Sequence, residues 1–316
     1  MLALAAAAVA AGCGGDEARP VSDAGAGAGA TATAPRTTPA AAEAVPAEPR
    51  RVSATPRLRR LERIFGARVG VYALDTGSGR ELAYRADDRF PYASTFKALA
   101  AGAILDRVGV EGLDRTLPVD TLTDAYSPIT EQRVGTRMSL RALASAAVRY
   151  SDNTAANLLL DQLGGPKALD AWLAQELGDD VTRMVRREPE LNEWAPSDDR
   201  DTSTPRALAR DLRALVLGDD VLGEPERVQL AAWLRTNTTG ATVIRAGVPK
   251  GWKVGDKTGT GATYGARNDI AVLWPPGDRP PIVLAIMTRR PAADDDHDDA
   301  LIARTTRAVL TALDAG

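Results

Sequence analysis

The order of apolar patterns along the chain is the feature that most restricts its fold. Two strand-like segments, at residues 68–75 and 80–84, are separated by a short glycine-containing turn. Strand patterns return only after residue 251, and the long stretch between carries helical spacing. Consecutive strands favour an antiparallel sheet, and an inserted helical stretch packs as a layer of its own. The sequence therefore predicts an α+β fold: a five-stranded antiparallel sheet flanked by N- and C-terminal helices, with an inserted all-helical lobe.

The individual elements follow from apolar periodicity and turn signals. The predicted helices cover residues 55–65, 94–108, 139–149, 153–163, 165–176, 205–217, 225–236 and 296–315, and the predicted strands cover residues 68–75, 80–84, 252–260, 267–274 and 282–288. The sheet lobe is expected at about 53–90 and 237–316, and the helical lobe at about 91–236. A cleft between two such lobes is the default place for a site.

The first residues of the chain predict export. Residues 1–12 are small and apolar, too few to span a bilayer, and resemble the apolar core of an export signal. Cys13 follows small residues, as in the bacterial lipoprotein cleavage box, so we expect it to carry a lipid that attaches the protein to a membrane. An ordinary signal peptide with an incidental cysteine is the alternative. Either way the expected location is periplasmic or extracellular.

Residues 14–52 predict a disordered tether. They are rich in Ala, Gly, Pro and Thr and show no apolar periodicity. Such a segment cannot bury enough apolar surface to offset its conformational entropy. The folded catalytic domain is therefore expected at residues 53–316.

The composition argues against several functions. The chain has one His and one Cys, whereas a zinc site needs three or four ligands drawn mostly from these types. We therefore expect no metal and no other cofactor. His297 lies in an acidic run that we interpret as the first turn of the last helix, so a Ser-His-Asp triad is not expected. The net charge of −3 gives no basis for nucleic-acid binding, and nothing requires more than a monomer.

A serine and a lysine could replace the missing histidine. Ser94 and Lys97 are three residues apart in a predicted helix, where the amine can reach the hydroxyl. A buried lysine can act as a base because burial lowers its pKa, whereas arginine stays protonated. The chain has only five lysines among its many arginines, which makes this one notable. Alone, the pair is a weak motif.

Two further short motifs follow in order. Ser151, Asp152 and Asn153 lie between two predicted helices, where the plain alternative is a helix N-cap. Residues 257–259, Lys-Thr-Gly, end a predicted strand, where the alternative is a charged strand end followed by a turn. In a site, Gly259 would let a substrate approach the backbone, and a lysine with a hydroxyl could hold a carboxylate.

The ordered set of three motifs is similar to the signature of the penicillin-recognising serine enzymes, which include class A β-lactamases and penicillin-binding proteins. Residues 186–202 also resemble the Ω-loop of class A β-lactamases, and the resemblance covers residues 55–316. It implies a hydrolase that opens the cyclic amide of penicillins and cephalosporins, with these small molecules as its binding partners.

The resemblance implies the acylation machinery. Ser94 would attack the lactam carbonyl, and its proton would pass either to Lys97 or, through a water molecule, to Glu188; the sequence leaves this choice open. Ser151, assisted by Lys257, would deliver a proton to the leaving nitrogen.

The resemblance also implies how the ester is released and the substrate bound. Glu188, as general base, and Asn192 would hold the hydrolytic water. Arg186 and Asp201 would close the Ω-loop as an ion pair. The residues expected to bind substrate are Tyr126, Asn153, Thr258, Gly259, Thr260 and Arg267.

Two alternatives share the nucleophile. A penicillin-sensitive D,D-peptidase acts on peptidoglycan stem peptides, and a β-lactam sensor becomes acylated and stays so. Both would carry the equivalents of Ser94 and Lys97 without a deacylating base. Glu188 therefore separates the hydrolase from both alternatives.

Overall fold

The computed structural model describes residues 50–123 and 126–315. The predicted export signal, Cys13 and the tether up to residue 49 lie outside the described residues. The elements in chain order are β1 (Arg50–Val52), α1 (Thr55–Phe65), β2 (Arg68–Asp75), β3 (Arg80–Tyr84), β4 (Phe90–Pro91), α2 (Phe96–Val108), β5 (Thr116–Pro118), β6 (Arg137–Ser139), α3 (Leu140–Arg149), α4 (Asn153–Leu163), α5 (Pro166–Glu176), β7 (Thr202–Ser203), α6 (Pro205–Leu217), α7 (Glu224–Arg235), α8 (Ile244–Gly247), β8 (Lys253–Thr260), β9 (Arg267–Trp274), β10 (Ile282–Arg289) and α9 (Asp299–Ala312). None of the helices in the described part is long and apolar enough to cross a membrane.

The main sheet has the strand order β1-β3-β2-β10-β9-β8. The five predicted strands are all present and pair antiparallel, which confirms the α+β fold with its helical insertion. The structure differs by a sixth strand, β1, which pairs parallel to β3 although its residues were expected in the tether. Because β3 would otherwise present an unpaired edge, β1 covers backbone groups that could pair with another chain.

The last helix also starts later than expected. Asp298 caps α9 by accepting a hydrogen bond from the backbone N–H of Ala300 at 2.9 Å. An aspartate at this position satisfies an otherwise unpaired helix donor and so fixes the first turn. His297 consequently lies in the loop before α9, with its Nε2 atom 3.8 Å from Asp299 Oδ1.

The two faces of the sheet support separate cores. In β9, Ile270 and Val272 belong to the cluster shared with the helical lobe, whereas Ala271 and Leu273 pack with α1 and α9. This alternation follows from the two-residue period of a strand. On the lobe side, α2 is buried along residues 96–105, as its nearly unbroken apolar sequence predicts.

One buried carboxyl in α6 makes stability depend on pH. Asp211 is 2% exposed, and its Oδ2 atom has no hydrogen-bond partner among the described residues. Burial, together with the nearby carboxylate of Asp179, raises the pKa of Asp211 well above its usual value. The folded state therefore binds a proton that the unfolded state releases above about pH 4, so this group lowers stability as pH rises towards its folded pKa.

We predict that Asp211→Asn relieves this loss. The free energy of unfolding of the variant should exceed that of the parent increasingly between pH 5 and pH 8, by on the order of 1 kcal/mol or more at the upper end. Urea denaturation at the two pH values measures the difference. Asp219→Asn, at an exposed position just beyond α6, is the control and should show no such trend. A constant difference across the pH range would contradict the assignment.

Candidate active site

Ser94 lies in a tight turn, Ala93–Thr95, that leads directly into α2. Two buried features hold this turn against the sheet. Asn268 of β9 donates hydrogen bonds from Nδ2 to the carbonyls of Pro91 and Tyr92, at 2.7 and 3.2 Å. On β8, a Cβ atom at Gly259 would lie 2.6 Å from the Tyr92 carbonyl oxygen. Gly259 is thus required by the approach of strand to turn, a reason different from the substrate approach expected from sequence.

Lys97 lies one helical turn beyond the nucleophile and is fully buried. Its Nζ atom donates to the Ser151 carbonyl at 2.8 Å and to Asn153 Oδ1 at 2.5 Å, and lies 2.9 Å from Glu188 Oε1. Burial lowers the pKa of Lys97, while the Glu188 carboxylate opposes that shift. The amine is therefore held by three acceptors from two segments, the Glu188 loop and residues 151–153, and burial makes it easier to deprotonate than a lysine in water.

Glu188 contacts the nucleophile directly. The Ser94 hydroxyl donates to Glu188 Oε1 at 3.1 Å, so the same oxygen receives hydrogen bonds from both Ser94 and Lys97. Its other oxygen, Oε2, accepts from Asn192 Nδ2 at 2.6 Å. The Glu188 side chain is fully buried. The carboxylate is therefore placed to receive a proton from the serine directly, and Lys97 contacts the same carboxylate oxygen.

A second buried lysine flanks Ser151. Lys257 Nζ donates to Ser151 Oγ at 3.0 Å and to the Thr258 carbonyl at 2.7 Å. Burial, reinforced by the positive charge of Lys97, lowers the pKa of Lys257 well below its usual value. Ser151 itself has a φ of +59°, a left-handed conformation uncommon for serine. In that conformation its carbonyl contacts one lysine and its hydroxyl the other.

Asp152 has a structural task that the motif alone did not reveal. It caps α4, as the plain alternative predicted, by accepting from the backbone N–H of Ala155 at 2.8 Å. Its carboxylate also accepts from the backbone N–H groups of Ile129 and Thr130 and from the Thr130 hydroxyl. Asp152 thus ties the start of α4 to the neighbouring loop and fixes the residues on either side of it.

Asn157 is a site residue that sequence reasoning missed. Its Oδ1 accepts from the backbone N–H of Glu188 at 3.1 Å, and its Nδ2 donates to the Glu188 carbonyl at 2.8 Å. Asn157 follows Asn153 by four residues on α4, so both face the same side. That spacing was the available signal. The pair of bonds fixes the backbone that carries the Glu188 carboxylate.

The loop that carries Glu188 is closed by Asp201. Arg186 Nε lies 2.5 Å from Asp201 Oδ2, and the carboxylate also accepts from Tyr92 Oη and from the backbone N–H groups of Val185 and Arg186. Asp201 is fully buried. The predicted partners therefore do meet, and the ion pair is part of a larger set of bonds that holds both ends of the loop.

The expected carboxylate-binding residues lie along the end of β8. Thr258 Oγ1 is 2.6 Å from Thr239 Oγ1, and the exposed Thr260 accepts from Arg267 Nη1 at 2.8 Å. Arg267 is held from behind by Asp299, with Nε 2.7 Å from Oδ1. The arginine is thus oriented towards the strand end by an ion pair from α9.

Tyr126 takes a different position from these residues. Its side chain is 61% exposed, and its backbone carbonyl accepts from the Asn153 N–H at 2.9 Å. The described residues contain no group of three or more His, Cys, Asp and Glu side chains suited to a metal.

Two buried lysines around a serine, with a carboxylate beside a second serine, form an arrangement that can activate a serine as a nucleophile. Residues 53–313 match the model of the β-lactamase enzyme family. A β-lactamase of Amycolatopsis lactamdurans is 58% identical over 80% of this chain and 83% of its own length. The β-lactamase AST-1 of Nocardia asteroides is 54% identical over 82% of this chain and 84% of its own length.

A solved structure agrees with these sequence matches. The class A β-lactamase of Clostridium kluyveri superposes with a TM-score of 0.78 at 47% identity, covering 82% of this chain and 98% of that one. The chain therefore belongs to the β-lactamase family, in class A, and the resemblance noted from the sequence motifs is confirmed.

We predict that Asn157→Ala slows release of the acyl group more than its formation. Loss of both bonds leaves the Glu188 backbone unpaired, which should cost about 1–3 kcal/mol of stability. A displaced carboxylate should slow deacylation by roughly tenfold or more. Stopped-flow measurement of the two steps separates them. Gln162→Ala, farther along α4, is the control and should leave both rates unchanged. Equal slowing of both steps would contradict this role for Asn157.

Proposed function

We propose that the protein hydrolyses the β-lactam ring of penicillins and cephalosporins through an ester on Ser94 that Glu188 then releases. Family membership supports the substrate class, and the contacts around Ser94 support the mechanism. The single observation that carries it is the placement of the Glu188 carboxylate, which contacts Ser94 through one oxygen and Asn192 through the other.

Acylation begins when Ser94 Oγ attacks the lactam carbonyl. Its proton passes to Lys97 or, through a water, to Glu188. The Lys97 Nζ and Glu188 Oε1 atoms lie 2.9 Å apart. The backbone N–H groups of Ser94 and Thr260 would stabilise the oxyanion, a contribution typically worth a few kcal/mol per donor. Formation of the ester breaks the ring C–N bond and leaves the nitrogen in need of a proton.

Ser151 supplies that proton. Its hydroxyl lies 3.0 Å from Lys257 Nζ, so a proton passed to the nitrogen can be replaced from the lysine. The low pKa of Lys257 makes it a better donor than an ordinary lysine. Asn153, which accepts from Lys97, would also bind the amide of the substrate side chain, and Arg267 with Thr258 and Thr260 would hold its carboxylate.

Deacylation requires a water beside the ester. The Oδ1 atom of Asn192 is buried and has no hydrogen-bond partner in the described part of the chain, so it can accept from a water that also donates to Glu188. Glu188 removes a proton as the water attacks the ester carbonyl, and returns that proton to Ser94 Oγ as the ester C–O bond breaks, so Ser94 leaves as the alcohol. A D,D-peptidase or a sensor lacks this base, which is why the hydrolase is favoured over both.

We predict that Glu188→Ala traps the ester. A general base typically contributes a factor of about 10²–10⁴, so the variant should release one equivalent of product from a chromogenic cephalosporin and then nearly stop. Intact-protein mass spectrometry should show the added acyl group, and Ser94→Ala should show none. A parent enzyme that itself stops after one equivalent would favour the sensor or the peptidase.

The same variant identifies the acylation base. If Lys97 accepts the serine proton, acylation of the Glu188→Ala protein should stay fast and should slow as pH falls, because the protonated amine cannot accept. The Glu188 carboxylate raises the pKa of Lys97 against the effect of burial, and this contribution is lost in the variant. If Glu188 is the base, the burst itself should become slow. Rapid-quench measurement of the burst between pH 6 and 9 distinguishes the two.

We also propose that the protein is exported as a monomer and attached to a membrane through a lipid on Cys13. Residues 1–13 support this, since a short apolar segment ends in small residues and a cysteine. Cys13→Ser should abolish incorporation of radiolabelled palmitate and move the protein from the membrane fraction to the medium or periplasm. A parent protein that takes up no palmitate and stays in the soluble fraction would contradict lipid attachment and favour an ordinary signal peptide.

A further inference from the structure

A strongly basic surface lies on the side of the sheet away from the active site. It is formed by two neighbouring helices, since Arg304 of α9 lies over the Phe65 ring of α1 at 5.3 Å. We define the basic face as the exposed arginines Arg57, Arg59, Arg60 and Arg63 of α1 with Arg304 and Arg307 of α9. None of the six forms an ion pair with another described residue. The protein as a whole carries a net charge of −3, so this concentration of positive charge is local.

The only acidic residue of α1 does not weaken this charge at the surface. Glu62 is turned towards the sheet, where its carboxylate accepts from the Val69 N–H at 3.0 Å, from Tyr84 Oη at 2.6 Å and from Arg85 Nε at 3.0 Å. At 100° per residue, the four arginines of α1 share the arc that faces away from the buried Leu58. Every charged residue on the solvent side of α1 is therefore an arginine.

Further arginines extend the positive charge into a recess beside α1. A cavity of about 490 Å³ is lined by six arginines and one carboxylate, namely Arg59, Arg63, Arg68, Arg85, Arg289, Arg290 and Glu62. Arg85 pairs with Glu62 and Arg68 pairs with Asp88, so Arg59, Arg63, Arg289 and Arg290 supply its excess of positive charge. The Nε atom of Arg289 is buried and has no hydrogen-bond partner among the described residues. This recess can accept an anionic oxygen of the size found in a phosphate group.

An exposed apolar side chain lies among these cations. Ile64 is 56% exposed and occupies the same outward arc as Arg57 and Arg60. Binding at a membrane interface depends on buried apolar area together with electrostatic attraction to anionic lipids, and the outward arc of α1 offers both. A soluble polyanion would be bound by charge alone and would gain nothing from Ile64.

We propose that the basic face docks on an anionic phospholipid membrane. The arginines contact the headgroup phosphates and Ile64 enters the boundary of the acyl chains. The α1 helix is the first helix after residues 14–49, which connect it in sequence to Cys13. The inference goes beyond the proposed hydrolase activity and needs no lipid on Cys13, although a lipid there would bring this face close to the bilayer.

Docking in this orientation leaves the chemistry undisturbed. Lys257 pairs in register with Ile270, whose side chain packs with the helical lobe, whereas Leu58 of α1 packs on the opposite face of the sheet. The sheet therefore separates the basic face from the active site. Variants of the basic face should hydrolyse a chromogenic cephalosporin at the parental rate.

Vesicle binding of the full chain carrying Cys13→Ser tests the proposal without a lipid anchor. The protein should sediment with vesicles of phosphatidylcholine and phosphatidylglycerol, should not sediment with phosphatidylcholine alone, and should be released by salt. Each basic residue near such a surface strengthens binding roughly fivefold, so Gln at positions 57, 59, 60 and 63 together should weaken it by about six hundredfold.

The matched control removes the same charge elsewhere. Gln in place of the exposed Arg133, Arg210, Arg213 and Arg235, all outside the basic face, should leave vesicle binding within about twofold of the parent. Equal losses in both variants would show a general charge effect and overturn the proposal. Unchanged binding of the α1 variant, or no binding by the parent at low salt, would overturn it as well.

A fluorescent label tests contact with the bilayer itself. The chain has one cysteine, so Cys13→Ser with Ile64→Cys offers a single site for an environment-sensitive dye. Its emission should shift to the blue on anionic vesicles. The same dye at Val228→Cys, 62% exposed on α7, should not shift. Tight binding to soluble polyphosphate, with no emission shift of the dye at position 64 on vesicles, would identify a soluble polyanion as the ligand and overturn the proposal.

Discussion

The burial of two lysines on either side of Ser151 is the constraint on which the rest of the site depends. Removing an ammonium group from water costs several kcal/mol unless acceptors replace its hydration. Lys97 obtains a carboxylate, a carbonyl and an amide oxygen, which come from the Glu188 loop and the start of α4. Among the described residues, Lys257 donates only to a hydroxyl and a carbonyl, and its pKa lies well below the ordinary value. The Ser151 hydroxyl, which accepts from Lys257 of β8, also joins the helical lobe to the sheet lobe.

The loop that carries Glu188 is held by buried hydrogen bonds at its two ends and at Glu188 itself. Asp201 accepts hydrogen bonds from the Tyr92 hydroxyl, from the backbone N–H groups of Val185 and Arg186, and from the Arg186 side chain. Asn157 donates to the backbone carbonyl of Glu188 and accepts from its N–H group. A buried ion pair adds little net stability, but removal of one partner leaves the other uncompensated. These bonds therefore fix a position: they hold the Glu188 carboxylate within contact of both Ser94 and Lys97, as the proposed activation of water requires.

Local patterns predicted much of this molecule, and distant pairings explain what they missed. The helix over 55–65 and the strand over 267–274 were predicted to the residue, because each is set by periodicity and by its own turn signals. The strand β1 was missed because its partner lies some thirty residues further on, in β3. Asn157 was missed for the same reason. The motif residues were identified through family resemblance, whereas the close contact that makes Gly259 necessary involves Tyr92, which no spacing reveals.

The two-residue alternation of β9 has a consequence beyond packing. Because adjacent residues belong to opposite cores, the helical lobe and the α1–α9 layer share a sheet without sharing side chains. Substitutions on the outer layer can therefore change what that surface binds while Lys257, on the strand paired with β9, keeps its place. A molecule that rests on a membrane through α1 would thus carry its catalytic residues on the side facing away from the bilayer, where a soluble substrate arrives.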